Sequence, residues 1–171
     1  GRGGLSGVWE PGAGAGVVAG PGGGPAAGRA ALDVARAKWG ALLISHGRPG
    51  HLGGAAGVAE ATSAPVYAGL EVEMVLSAPE KFQLFPGMPP FASSKVDRLL
   101  SGGEAIYAGG IRVEVIATPG HSPGSLAYYA VGCLFTGDLL FHGSIGRTDL
   151  PGGSFDELAA SVKNLILRYP P

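Results

Sequence analysis

An unusually high content of glycine and proline limits the regular structure that this chain can form. The 171 residues include 32 glycines and 14 prolines, a share at which a chain without a repeat begins to resemble a disordered one. The glycines are concentrated at the start, because residues 1–28 contain 12 of them and few bulky side chains. Such a segment can bury little apolar area against a large cost in backbone entropy. We therefore expect a weakly ordered glycine-rich segment over residues 1–25 and one folded domain over residues 26–171.

Helical and strand patterns alternate through the rest of the chain. Alanines at helical spacing from Ala26 onward predict a helix that ends near Gly40, and the apolar run 41–44 predicts a buried strand. Prolines between residues 70 and 100 exclude one long helix there. A second helix is predicted over 54–62, and further strands over 65–68, 112–116, 126–130 and 133–136. This alternation predicts an α/β (α+β) fold built from layers of helices and sheets.

The last predicted element is a helix with a clear start and end. Ser154 and Glu157 form an S-x-x-E capping box, in which the serine hydroxyl accepts a hydrogen bond from a backbone N–H of the first turn. Two prolines at 170–171 end the helix. One apolar stripe is predicted on its inner face, formed by Phe155, Leu158, Val162, Leu165 and Ile166.

Charge, hydropathy and cysteine content exclude several classes of function. Twelve basic and 13 acidic residues leave a net charge of −1, so neither nucleic acid nor an anionic membrane surface would be attracted. We find no apolar run of transmembrane length, and residues 1–30 lack the pattern of a secretion signal. The single cysteine, Cys133, cannot form an intrachain disulfide. We expect a cytoplasmic protein whose function depends on a local site.

Three of the four histidines and one aspartate follow predicted strands in glycine-rich turns. His46 follows the strand 41–44, His51 comes five residues later, His121 lies in the turn 118–124, and Asp138 ends the sequence Phe-Thr-Gly-Asp. Strand ends that meet at one sheet edge can hold imidazoles rigidly while the turns leave room for an ion. Imidazole and carboxylate are zinc ligands. Spacing alone leaves two interpretations, a metal site or polar residues that cap turns.

Four motifs extend this pattern along the chain. They are Ser-His-Gly-Arg-Pro-Gly-His-Leu-Gly-Gly at 45–54, Thr-Pro-Gly-His-Ser-Pro-Gly-Ser at 118–125, Phe-Thr-Gly-Asp at 135–138 and Gly-Ser-Ile-Gly-Arg-Thr-Asp at 143–149. In this order they resemble the metallo-β-lactamase superfamily, and within it the glyoxalase-II-like (hydroxyacylglutathione-hydrolase-like) group. The first is similar to T-H-x-H-x-D-H-x-G-G. The resemblance implies a C-terminally truncated αββα sandwich that hydrolyses small thioesters such as acyl-glutathiones with metal-activated water.

The resemblance also implies roles for the candidate ligands. His46 and His121 match histidines of the first metal site, His51 matches a ligand of the second, and Asp138 matches the bridging carboxylate. The family's last histidine lies in a P-G-H-G-P motif beyond the final helix, whereas this sequence stops at Pro171. We therefore expect at most one zinc ion, held by His46, His121 and Asp138 with help from His51.

Three positions depart from the family pattern. Arg48 replaces a histidine of the first site, Gly50 replaces an aspartate that binds the second metal and orients water, and Gly20 replaces an aspartate beside the site. We expect Arg48 to pair with Asp138 in place of an ion, because an unpaired carboxylate at a semi-buried edge is costly. These losses predict an impaired hydrolase.

Two other functions remain open from the sequence. One is a catalytically silent family member that acts as a binding domain. The other is a dinucleotide-binding module, because Gly-Gly-Gly-Pro-Ala-Ala at 22–27 loosely matches G-x-G-x-x-A. We expect His142 to be an incidental loop residue, and Arg147 and Asp149 to form a structural hydrogen-bond network.

Overall fold

The computed structural model describes residues 6–20, 38–48, 52–82 and 93–169. The strands in this part of the chain are β1 Ser6–Val8, β2 Gly16–Ala19, β3 Trp39–Ile44, β4 Val66–Gly69, β5 Arg98–Leu100, β6 Ala105–Ala108, β7 Ile111–Ala117, β8 Leu126–Ala130, β9 Cys133–Phe135, β10 Leu140–Phe141 and β11 Ser144–Ile145. The helices are α1 Ala55–Thr62, α2 Leu70–Ser77 and α3 Phe155–Arg168, and a 3-10 turn covers Pro79–Lys81.

Two sheets of different topology form the centre of the molecule. The first contains β1 to β5 in chain order, with β1 antiparallel to β2 and the other pairs parallel. The second is an antiparallel meander of β6 to β9. A small hairpin of β10 and β11 follows the second sheet. Parallel strands need crossovers that cover the sheet, and α1 and α2 are such crossovers.

The buried residues form three layers of core. Leu42 of β3 belongs to an apolar cluster with residues of α1 and α2, whereas its neighbour Leu43 belongs to a second cluster with residues of β6, β7 and β8. Successive side chains of a strand point to opposite faces, so β3 serves both clusters. A third cluster includes Leu158 of α3 and Ala127 of β8. The order helix, sheet, sheet, helix confirms the αββα sandwich.

The start of β3 corrects the predicted helix that ends near Gly40. Trp39 and Gly40 are the first two residues of β3, and Trp39 pairs with Gly16 of β2. A side chain at Gly40 would lie 2.1 Å from the backbone nitrogen of Gly109, so the strand can approach the β6–β7 turn only because this residue is glycine. Residues 26–37 of the predicted helix lie outside the described residues.

The glycine-rich segment contributes two strands to the first sheet. Val17 and Val18 of β2 are each 1% exposed and belong to the core. Gly16 lies directly against the ring of Trp39, where an added Cβ would approach to 2.7 Å. Residues 16–19 therefore belong to the core, because pairing with β3 buries both valines. The predicted division of the chain at residue 25 stays a prediction.

Most of the other predicted elements are confirmed with small shifts in their bounds. The capped helix is α3, in which the Glu157 N–H donates to Ser154 Oγ at 3.3 Å. Leu158 and Leu165 are buried, but Phe155 is 60% and Ile166 is 49% exposed. The predicted five-residue stripe is therefore wrong for these two residues, because only a narrow face of α3 contacts the sheet. Within the described residues, no helix combines the length and hydropathy that crossing a membrane requires.

Candidate metal centre

Three loops bring candidate ligands to one edge of the sandwich. His46 lies two residues after the end of β3, His121 lies in the turn between β7 and β8, and Asp138 lies between β9 and β10. The two sheets meet at this edge, because the Leu126 N–H donates to the carbonyl oxygen of Ser45 at 2.8 Å. The three candidate residues that the structure describes thus lie at the same edge, as the strand ends predict.

The side chains of these three residues face one another. His46 Nε2 lies 4.0 Å and His121 Nε2 lies 3.8 Å from Asp138 Oδ2. The three ligand atoms all lie within 4.8 Å of one another. Both imidazoles are buried, and the Asp138 side chain is 24% exposed. Two imidazole nitrogens and one carboxylate oxygen are therefore presented together at a partly accessible position.

The far nitrogen of each ring is held by a hydrogen bond. His46 Nδ1 lies 2.9 Å from Ser45 Oγ, and His121 Nδ1 lies 2.8 Å from the carbonyl oxygen of Arg147. A carbonyl oxygen can only accept, so His121 Nδ1 carries the hydrogen. In the neutral ring, Nε2 then carries the lone pair, on the side of Asp138. Such contacts fix the tautomer and orientation of metal-binding histidines.

The turn that carries His121 is also anchored to α3. The carbonyl oxygen of Gly120 accepts from the Ser154 N–H at 2.8 Å, and that of Pro119 accepts from Ser161 Oγ at 2.8 Å. Both donors belong to the cap and inner face of α3. α3 thus supports the His121 turn, in addition to covering the second sheet.

Glu71 at the start of α2 is a site-supporting residue that the sequence did not reveal. Its Oε2 accepts hydrogen bonds from Ser122 Oγ at 2.7 Å and from the Gly124 N–H at 2.8 Å. A Cβ at Gly124 would lie 2.6 Å from the Cβ of Glu71, which explains the glycine in this motif. Glu71 and Ser122 are 51 residues apart, and the only sequence signal is the serine and glycine around His121.

Two further glycines make room around Asp138. Gly137 has φ +53°, and a Cβ there would lie 2.6 Å from Ser45 Oγ. A Cβ at Gly146 would lie 1.7 Å from the carbonyl oxygen of Asp138. The glycines of the third and fourth motifs therefore let three loops approach one another at the candidate centre.

Arg48 does not pair with Asp138, so that prediction was wrong. Its Nη2 donates to the carbonyl oxygen of His121 at 2.8 Å and lies 3.4 Å from the carbonyl oxygen of Pro151. Within the described ranges, no ion pair joins Arg48 and Asp138. Carbonyls of two neighbouring loops accept from the guanidinium, while the Asp138 carboxylate faces the two histidine rings.

The remaining predicted residues have mixed outcomes. His51 and Gly50 lie outside the described residues, as does the glycine run at 22–27, so their roles stay predictions. His142 is exposed in the β10–β11 turn. Arg147 donates to both carboxylate oxygens of Asp149, at 2.7 and 2.6 Å. These hydrogen bonds hold the pKa of Asp149 at about 2, below its ordinary value, and confirm the structural network expected there.

A comparison with known protein families identifies the fold family. The family model described as "Metallo-beta-lactamase superfamily" matches residues 2–168. The chain belongs to this superfamily. "Hydroxyacylglutathione hydrolase GloC" of Haemophilus influenzae is 34% identical over 131 residues, which are 74% of this chain and 61% of GloC. The chain thus spans about three fifths of the length of this curated relative.

Solved structures of the superfamily agree with this assignment. The BLEG-1 B3 metallo-beta-lactamase has a TM-score of 0.82 and 34% identity, covering 96% of this chain and 80% of that one. TTHA1623 in a di-iron-bound form has a TM-score of 0.73 and 32% identity, covering 98% and 82%. The domain therefore has a metallo-hydrolase fold related to hydroxyacylglutathione hydrolases.

The donor set at the sandwich edge fits the metal that this fold implies. Two neutral imidazoles and one carboxylate are common ligands of zinc and of other transition metals. Bonds of about 2.0–2.2 Å place the ligands of a tetrahedral ion roughly 3.3 Å apart. The atoms of His46, His121 and Asp138 are somewhat farther apart than this, so a small inward movement of the side chains would bring them to bonding distance.

Proposed function

We propose that this superfamily domain holds one divalent metal ion between His46, His121 and Asp138 and hydrolyses thioesters slowly. The observation that carries the proposal is the group of three ligand atoms within 4.8 Å at the edge where the sheets meet. The named activity of GloC supports a hydroxyacylglutathione-like substrate. Zinc is the proposed ion, and His51 is a proposed additional ligand.

The residues at this site have different proposed roles. Hydrogen bonds at Nδ1 orient the rings of His46 and His121, and Asp138 places a carboxylate beside their Nε2 atoms. A zinc ion held here would supply Lewis-acid chemistry, polarising a carbonyl group and lowering the pKa of water. Gly50 has no carboxylate with which to orient that water. Slow hydrolysis follows, because orientation contributes strongly to rate.

A catalytically silent binding domain is the second candidate function. It is favoured by Arg48, which occupies the position of a ligand in the resembling family and donates to carbonyl oxygens instead. In that case the domain would bind a metal ion or a small molecule without turning it over. Metal binding and hydrolysis must therefore be measured on the same preparation.

The test compares two histidine variants by zinc titration. The unchanged protein should bind one equivalent, and His121→Ala should weaken binding by at least tenfold, because a ligand is lost. His142→Ala is the matched control, since His142 is exposed in the β10–β11 turn, and should leave the affinity unchanged. Hydrolysis of an acyl-glutathione thioester is then followed with the same samples.

Each result of this test leads to a distinct conclusion. Binding by the unchanged protein with slow turnover supports the proposal, and binding without turnover supports the silent domain. Zinc binding that survives in His121→Ala, or that is absent from the unchanged protein, contradicts the proposed metal site.

A further inference from the structure

The side chain of Arg48 connects the turn that carries His121 with the loop that contacts the ring of His121. Its Nη2 donates to the carbonyl oxygen of His121 at 2.8 Å and lies 3.4 Å from that of Pro151. We infer that Arg48 is a positioning residue, which holds His121 in its ligand orientation by clamping the turn 118–125 against the loop 146–153. This inference rests on the proposed metal site and adds a role for the residue that replaces a ligand.

The loop on the other side of the clamp holds the ring of the same histidine. The carbonyl oxygen of Arg147 accepts from His121 Nδ1 at 2.8 Å. The bidentate pair of Arg147 with Asp149 keeps this part of the loop folded. His121 is therefore tied to one loop twice, by its ring through Arg147 and by its carbonyl through Arg48. Loss of either tie would let the ring rotate or shift relative to Asp138.

The chemistry of arginine suits this clamp. A guanidinium carries five N–H donors at the end of a long side chain, so one group can reach carbonyls on two loops. Arg48 also lies two residues after His46. The clamp thus joins the segments of both histidine ligands, and a shorter or apolar side chain at this position could not do so.

The positive charge of Arg48 has an opposite effect on metal binding. A nearby cation repels a divalent ion, which by itself predicts that removal of Arg48 increases the affinity. Loss of a partner that orients a ligand typically costs about 10–100-fold in affinity. The two effects separate in salt, because salt screens charge repulsion and leaves side-chain orientation unchanged.

The experiment compares Arg48→Gln with Arg48→Lys in a buffer of high salt. Glutamine is neutral, and its side chain ends two bonds before the Nη2 position of Arg48, so it reaches neither carbonyl. Lysine keeps the positive charge and an N–H donor group at the end of a long side chain. Lys163→Gln is the control for the loss of one positive charge, since Lys163 is exposed on α3. Cobalt(II) is the probe, because its visible absorption reports ligand geometry as well as binding.

A positioning role predicts a specific pattern in these variants. The cobalt affinity of Arg48→Gln should be at least about tenfold lower than that of the unchanged protein, with an altered spectrum. Arg48→Lys should keep most of the affinity and the original spectrum. Lys163→Gln should match the unchanged protein. Cobalt affinity that is unchanged or higher in Arg48→Gln, with the original spectrum, overturns the inference.

A second measurement on the metal-free protein separates this inference from the proposed function. Hydrogen exchange of the amides at 120–122 and 124–125 should be faster in Arg48→Gln than in Lys163→Gln, because the turn loses its contact with the loop 146–153. If the unchanged protein binds no metal, the proposed function fails and this measurement still tests the clamp. Equal exchange in the two variants shows that Arg48 does not hold the turn.

Discussion

At the scale of single residues, the glycines serve the approach of backbone segments around the candidate ligands. Gly120 precedes His121 and has φ +131°, a region that side chains rarely tolerate. A Cβ there would lie 2.2 Å from the backbone nitrogen and 2.3 Å from the Cα of Leu158. Because both are backbone atoms of α3, no side-chain rotation can relieve the overlap. Glycine at this position thus allows the close packing of the His121 turn against α3.

We expect Gly120→Ala to destabilise the fold by about 2–6 kcal/mol, combining backbone strain with overpacking against α3. Gly103→Ala is the matched control, since Gly103 has φ +94° and no atom within 4 Å of an added Cβ. Gly103→Ala should be destabilised by backbone strain alone, which costs about 1–3 kcal/mol. Urea unfolding measures both variants, and equal losses would show that the contact with Leu158 carries no cost.

At the scale of elements, α3 is fastened to the second sheet at its C-terminal end by one carboxylate. Glu114 of β7 accepts from Arg168 Nη2 at 2.8 Å, from the Tyr169 hydroxyl at 2.5 Å and from Arg112 Nη1 at 2.5 Å. The Tyr169 ring stacks on Tyr129 of β8 with a centroid distance of 4.4 Å. The helix that supports the His121 turn is therefore held at both ends.

The hydrogen bonds to Glu114 make this attachment pH-dependent. Those from Arg112 and Tyr169 hold the pKa of Glu114 at about 2, below its ordinary value of 4.5. Because the folded-state pKa is the lower one, the carboxylate stabilises the fold above pH 4.5, and this contribution is lost as the pH falls through 2. The urea midpoint of Glu114→Gln should therefore lie below that of the unchanged protein at neutral pH.

The difference in midpoint should shrink as the pH falls from 4.5 to about 2. Glu60→Gln provides the control, since Glu60 is exposed on α1 and its change tests the loss of one negative charge alone. A difference for Glu114→Gln that is constant over this pH range would argue against the attachment.

At the scale of the whole molecule, the two sheets are joined by a buried hydrogen bond as well as by apolar packing. The hydroxyl of Tyr128 on β8 donates to the carbonyl oxygen of Ile44 at the end of β3, at 2.7 Å. Tyr128 is fully buried, and burial raises the pKa of its hydroxyl above the ordinary value. The contact lies two residues before His46, so it also fixes the distance between the sheets at the candidate centre.

Tyr128→Phe should destabilise the fold by about 1–2 kcal/mol, because the Ile44 carbonyl loses its buried donor. Tyr107→Phe removes the same atom from a side chain that is 68% exposed on β6, and should change stability very little. Thermal or urea unfolding of the two variants provides the comparison. A loss of similar size in both would mean that the hydrogen bond between the sheets contributes nothing.

Sequence patterns were enough to predict the fold class, most of the elements and three residues of the candidate centre. Strand periodicity, the cap of α3 and the turn motifs that carry His46, His121 and Asp138 are all local, so neighbouring residues are enough to predict them. The proximity of the three side chains does not follow locally, because His46 follows a strand of the first sheet whereas His121 and Asp138 follow strands of the second.

The contacts that support these ligands join segments far apart in the chain, so they are visible only in the folded molecule. Trp39 and Gly40 join a strand because β2 and the β6–β7 turn lie beside them. Glu71 reaches Ser122 across 51 residues, and Arg48 reaches the His121 carbonyl across 73. Such contacts depend on how distant segments pack, and no local pattern marks them. Sequence thus determined which residues stand at the strand ends, and packing determined which partners orient them.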